Sequence, residues 1–191
     1  MKELPIPFEE NWFGMEGKAS TRLLYEIKHM KKFFKLQEWK KITPPKTDWD
    51  CRNFYINTWV LRLHPVKDKA YPLGWDIQFS MDDGDRLCKK DQVWTIKIFY
   101  PKDYLKSDSP PLPSLIDNNG HALYGDKNKG TVSIDGKNYL HCCLYDKHKF
   151  NPGTEHAAIY ASRSILWLRS CLDSKENGGS MKNYVSRNYS N

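Results

Sequence analysis

Residues 93–101, VWTIKIFYP, alternate in character along an extended run and stop at a proline. β-Branched and aromatic residues in such a run suit a pleated, half-buried surface, so the segment reads as a strand. The same pattern recurs upstream. GWDIQFSM, 74–81, places Trp75, Ile77 and Phe79 on one face, and FYINTWVLRLHP begins a similar run after residue 53. A polar DDGD turn follows the second of these runs. Strands joined by short polar turns predict an antiparallel meander.

Outside the strands the period changes. Leu23, Leu24, Ile27, Met30 and Phe34 recur at helical spacing after Ser20 and Thr21, either of which serves as an N-cap. An amphipathic helix over 21–36 with a basic outer face is expected, ended by ITPPKTDWD, 42–50, where two prolines forbid continuation. At the other end Ala158, Ala161, Ile165, Leu168 and Leu172 form one buried stripe of a long helix, with Thr154 as its expected N-cap. Between lie the proline-rich PKDYLKSDSPPLPSL, a short extended stretch at Ser114–Ile116, a Gly/Asn/Asp/Lys-rich loop over 117–138, and an apolar run, YLHCCLY, at 139–145. The order predicts an α+β domain in which helices cover an antiparallel sheet. Residues 1–19 read as an N-terminal extension, 20–172 as the domain, and 173–191, without periodicity, as a mobile tail.

With 191 residues, 39% hydrophobic and 14% aromatic, the chain supports one core, which excludes global disorder. There is no apolar run long enough to span a bilayer, and the first residues lack the continuous apolar run of a secretory signal, so a cytoplasmic protein is expected. Five cysteines, Cys51, Cys88, Cys142, Cys143 and Cys171, are odd in number and show no two-residue gap. They predict thiols rather than a disulfide framework, and neither a metal nor a cofactor is expected. The net charge of +7 concentrates in Lys28, Lys31, Lys32, Lys35, Lys40, Lys41 and Lys46 against Glu38. Such a patch attracts an acidic protein or a nucleic acid, or is a solvated face; charge alone does not separate them.

The segment that bears chemistry is Leu140–Pro152, LHCCLYDKHKFNP. On an extended backbone Cys142 and Cys143 point to opposite faces, and His141 shares a face with Cys143. A neighbouring imidazole orients a thiol or stabilises its nucleophilic thiolate. Burial of both cysteines in the core is the competing reading, since free cysteine is among the most buried residue types. His148 and His156 read as surface residues.

Taken together, VWTIKIFYPKDY, SPPLPSL, NNGHALYG, CLYD, FNP and the closing helix resemble the ubiquitin-conjugating enzyme family over about residues 20–172. Phe99, Tyr100, Pro101 and Tyr104 match the family's strand-ending segment, and Pro110, Pro111 and Pro113 its flap. His121 stands at the histidine of the His-Pro-Asn box, Cys143-Leu144 at the thioester-forming cysteine, and Phe150-Asn151-Pro152 at the Trp-x-Pro loop. There are departures. His121 is followed by Ala122-Leu123, so the box asparagine, which stabilises an oxyanion, is missing, and Asn118 or Asn119 would have to replace it. An insertion falls around 125–138, Cys142 has no counterpart, and the family's last helices are expected to be absent or replaced by the tail. This pattern resembles divergent stand-alone bacterial relatives in anti-phage (CBASS) defence, which act beside a cGAS/DncV-like nucleotidyltransferase.

The resemblance implies a thioester on Cys143, with His121 shaping the loop and Asp146 orienting the acceptor amine or taking its proton. The partners implied are a protein acyl donor, either that nucleotidyltransferase or a ubiquitin-like protein, and an acceptor protein, with no membrane and no nucleic acid. An inactive scaffold of the same fold is the alternative. A cysteine hydrolase and a nucleic-acid binder rank below it.

Overall fold

The computed structural model describes residues 19–37, 41–42, 54–82, 92–105, 110–116, 131–141 and 150–176. Helix α1 spans Ala19–Gln37. Strands β1 (Lys41–Ile42), β2 (Phe54–Pro65), β3 (Leu73–Asp82), β4 (Val93–Tyr100), β5 (Leu112–Ile116), β6 (Thr131–Ile134) and β7 (Lys137–His141) follow, and helix α2 spans Ala157–Glu176. The fold is α+β. The strands form one antiparallel sheet in the order β1-β2-β3-β4-β5-β7-β6. β1 to β5 are consecutive neighbours, so the expected meander is present and longer than three strands.

Both helices lie on one face of the sheet. The register sets Leu73, Trp75, Ile77 and Phe79 of β3 opposite Tyr100, Ile98, Ile96 and Trp94 of β4. All eight are buried in one cluster with Leu23, Met30 and Phe34 of α1 and Ala158, Ala161, Ile165 and Leu168 of α2. The helical stripes are therefore those expected, with one correction. Leu24 is 39% exposed, because its position falls outside the Ala19, Leu23, Met30, Phe34 row that meets the sheet. The side chain of Leu172 lies outside the described residues. α2 begins at Ala157, so Thr154 is not its cap; it is exposed in the preceding turn, where its N–H meets Asn151 O at 3.1 Å.

The loop expected over 117–138 is also corrected. Residues 117–130 lie outside the described residues, but 131–141 form the β6–β7 hairpin. Its two-residue turn is Asp135-Gly136, with φ of 50° and 71°. Positive φ at both positions matches the right-handed twist of the flanking strands, and Asp-Gly is the pair that tolerates it. β7 turns back to pair with β5, Leu115 opposite Leu140 and Ser114 opposite His141.

On the face away from the helices a second, smaller cluster forms from Phe99, Ile134 and Tyr139, with Val66, Tyr71, Leu112 and Val132 against it. Gly74 makes room for it: a Cβ there would meet Phe99 Cδ1 and Val66 Cγ2 at 3.2 Å. Asp68, between β2 and β3, accepts from the N–H groups of Ala70 (2.8 Å), Tyr71 (3.1 Å) and, across the fold, Asp135 (3.1 Å). β2 and β6 are far apart in the strand order, so this bond requires the sheet to curl over the second cluster.

Beside that cluster Asp76 of β3 meets Lys97 Nζ of β4 at 2.5 Å and His64 Nε2 of β2 at 3.2 Å. The Asp76 carboxylate raises the His64 pKa above its ordinary value of 6.5, against the opposing effect of burial. A raised pKa means that the folded chain holds the proton more tightly than the unfolded chain. The stability contributed is complete below the unfolded value and disappears as pH rises through the folded one. The urea midpoint is therefore expected to fall from about pH 6 to about pH 9 more steeply in the wild type than in His64→Asn; parallel curves would show that this pair contributes nothing.

Candidate functional site

The residues expected to carry chemistry lie outside the described residues: His121 within 117–130, and Cys142, Cys143 and Asp146 within 142–149, as does His148, expected at the surface. The two ends of the cysteine-bearing segment are described. On one side β7 ends at His141, opposite Ser114. Ser114 is fully buried and its Oγ has no hydrogen-bond partner among the described residues. On the other side the chain resumes at Phe150.

Phe150 is buried and stacks on Tyr104, ring centroids 5.3 Å apart at 29°, and also meets Tyr160 of α2 at 6.3 Å. Asn151 then organises a tight turn. Its side-chain oxygen accepts from Gly153 N at 2.9 Å, its carbonyl accepts from Glu155 N at 2.8 Å, and its own N–H donates to Glu155 Oε2 at 2.9 Å. Asparagine suits this place because its short amide can close a turn on its own backbone.

The turn is tied to α1 by Arg22. The guanidinium donates to the carbonyls of Pro152 and Glu155, to Tyr104 Oη at 3.0 Å and to Glu26 Oε1 at 2.7 Å. Glu26 is 0% exposed and acts only as an acceptor. Tyr104 Oη donates to its Oε1 at 2.9 Å, and Tyr100 Oη and Ala157 N donate to its Oε2 at 3.0 and 2.8 Å. Burial, and next the negative charge of Glu26, push both phenols far above their ordinary range, so both retain the protons they donate. Trp75 Nε1 completes the group with a bond to Tyr100 Oη at 3.0 Å. One carboxylate thus joins α1, the end of β4, the turn after it and the first N–H of α2. That N–H is one of the orphan donors at a helix start, and the carboxylate also complements the positive end of the helix.

Sequence reasoning missed Glu26 and Arg22. The available signal was an acidic residue inside the apolar row 19, 23, 26, 30, 34, which has meaning only if a partner is buried with it. It also placed His156 on the surface. His156 is half-buried, its ring 4.2 Å from that of His29, because the turn at Asn151 folds it down onto α1. Lys28, Lys31, Lys32 and Lys35 are all exposed on the outer side of α1, whereas the side chains of Lys40, Lys41 and Lys46 lie outside the described residues.

Among the described residues no group of three or more His, Cys, Asp or Glu could hold a metal ion, and no helix is long and apolar enough to cross a membrane. Chemically, the described frame offers a rigid seat for the chain that follows residue 149 and a basic helix face. No protein-family model, curated protein or solved structure matches the chain.

The Glu26 hub has a measurable weight. Glu26→Ala would strand the Arg22 guanidinium, two phenols and the Ala157 N–H, and an uncompensated buried charge costs about 3–5 kcal/mol. Urea unfolding of Glu26→Ala is expected to show a loss of that size, and Glu26→Gln, which keeps the shape and part of the acceptor capacity, a smaller one. A loss below about 1 kcal/mol in Glu26→Ala would mean that the hub is replaceable by water.

Proposed function

We propose that this chain is a ubiquitin-conjugating-enzyme-like protein that carries the C-terminal acyl group of another protein as a thioester on Cys143 and passes it to an acceptor. The observation that carries the reading is the order of parts around the cysteine pair. An amphipathic helix packs against an antiparallel meander whose β4 ends in Phe99-Tyr100, followed by Pro101 and a buried Tyr104. The cysteine pair falls in the chain between the end of β7 and Phe150, whose turn leads directly into α2. The β6–β7 hairpin lies in the chain between His121 and Cys143.

In the first step the Cys143 thiolate attacks an activated acyl carbonyl, a C–S bond forms, and the donor's leaving group departs with its electron pair. A thiol near pKa 8.5 needs no strong base for this, since the small thiolate fraction at neutral pH is already nucleophilic. In the second step an acceptor amine attacks the thioester, an amide bond forms, and Cys143 leaves as thiolate. The amine's proton goes to Asp146 or solvent, and His121 shapes the loop through hydrogen bonds. The donor is a cGAS/DncV-like nucleotidyltransferase or a ubiquitin-like protein, in cytoplasmic anti-phage signalling. The exposed Lys28, Lys31, Lys32 and Lys35 face serves an acidic protein partner.

A second reading keeps the fold without the chemistry: a scaffold that binds a protein partner. The absence of Pro-Asn after His121 favours it, since an oxyanion needs a fixed donor.

Two measurements test these readings. Intact-mass analysis of the protein recovered with its native neighbours under non-reducing conditions is expected to reveal a hydroxylamine-sensitive adduct on the wild type and on Cys142→Ala, absent from Cys143→Ala. An adduct lost only in Cys142→Ala would move the nucleophile by one residue, and no adduct on any form would leave the scaffold. Reversing charge at Lys31, Lys32 and Lys35 is expected to weaken capture of the acidic partner at least tenfold with unchanged thermal unfolding, because exposed helix positions contribute little stability. Unchanged capture would reduce the lysines to solvated charge.

A further inference from the structure

Where α1 meets the start of α2, three aromatic rings are clustered. His29 and His156 have centroids 4.2 Å apart at 38°. Tyr25 lies 4.2 Å from His29 and meets His156 edge-on at 5.9 Å, with the Arg22 guanidinium 5.0 Å above the Tyr25 ring. His156 Nδ1 is buried with no hydrogen-bond partner among the described residues. We propose that the contact between His29 and His156 is an acid-sensitive latch: it holds the start of α2 against α1 while His156 is neutral and releases it when His156 takes up a proton.

The geometry gives the reason. A neutral His156 ring packs on His29 at little cost, but a proton on His156 puts a charge into a partly dry contact 4.2 Å from the His29 ring. The other groups around His156 do not relieve it. From α1 come Arg22, positively charged, together with the Tyr25 phenol and Glu26, whose acceptor capacity is taken by Arg22, two tyrosines and Ala157 N. From the turn after β4 comes Tyr104, bonded to Glu26. From the segment of His156 itself comes Glu155, which accepts from Asn151 N and lies 3.7 Å from Arg163 of α2. α2 also contributes Tyr160, whose phenol is held above its ordinary range by burial first and Glu155 next. His156 finally precedes the first residue of α2, where the helix presents its positive end. Burial, then His29 and Arg22, lower its pKa to about 4, with only Glu155 opposing.

The direction follows by linkage. The docked state binds the proton more weakly than the released state, whose imidazole has its ordinary pKa of about 6.5. Docking is therefore unaffected above that value and weakens as pH falls below it, by up to tenfold per unit until His156 titrates in place. The latch acts on the turn that follows residue 149, whatever Cys143 does.

Hydrogen exchange of the full chain tests this. After correction for intrinsic rates, opening of the amides of Ala157 to Ala161 is expected to increase between about pH 6.5 and pH 4 in the wild type. It is expected to stay nearly flat in His156→Phe, which keeps an aromatic ring without a titrating nitrogen. His29→Phe, which replaces the neighbouring imidazole by an apolar ring, is expected to give a slope between the two. A wild-type slope retained in His156→Phe would overturn the proposal, because the acid sensitivity would then belong to Glu155 or Glu26. NMR titration of the imidazole in the wild type is independent of any variant's folding: a His156 midpoint at or above its ordinary value overturns it equally.

Discussion

The structure turns on a single buried carboxylate. Glu26 sits in the interface between α1, β4 and α2 with no exposure to water, and its two oxygens receive a guanidinium, two phenols and a backbone N–H. A charge in that place is tolerable only when every lone pair is used. Such a requirement is directional, unlike apolar packing, and so it selects one arrangement of the helices over others of similar burial. Ala157 N must reach Oε2, which sets where α2 begins. Tyr104 must reach Oε1, which sets how the chain turns after Pro101.

That constraint propagates to the cysteine-bearing segment. Arg22 uses Glu26 as its counter-charge and spends its remaining donors on the carbonyls of Pro152 and Glu155. The Phe150 ring closes the same corner by stacking on Tyr104. The exit from residues 142–149 is therefore held by bonds to α1, more than a hundred residues away in the chain, while the entry is held by β7 pairing with β5. The same corner also carries the His29–His156 stack, so the hub, the turn and the stack share one junction.

The sheet shows why some elements were legible and others were not. β3 and β4 read plainly because each buries Trp, Ile and Phe or Tyr at every second position, and side-chain alternation is a property of the strand alone. The hairpin at 131–141 was hidden by its polar surroundings, although Asp135-Gly136 between TVSI and KNYLH is a strong local hairpin signal. Over 117–138 as a whole the composition is that of a loop, and only the Asp135-Gly136 dipeptide marks the hairpin. At the candidate site, Cys143, His121 and Asp146 came from motif order, whereas Arg22 and Glu26, which tie the described frame together, carry no motif.

From its residues alone the chain declared an α+β domain, most of the apolar faces of both helices, three strands of the meander and a basic outer face on α1, because period and charge are local properties. The tertiary structure alone decided that Glu26 on an apolar stripe is satisfied, that Arg22 reaches the turn before α2, that the sheet curls until Asp68 meets Asp135, and that His156 stacks on His29. Each of these joins residues distant in the chain. A buried polar group declares its partner only in three dimensions, since its hydrogen bonds are set by which elements pack together and not by the residues on either side of it.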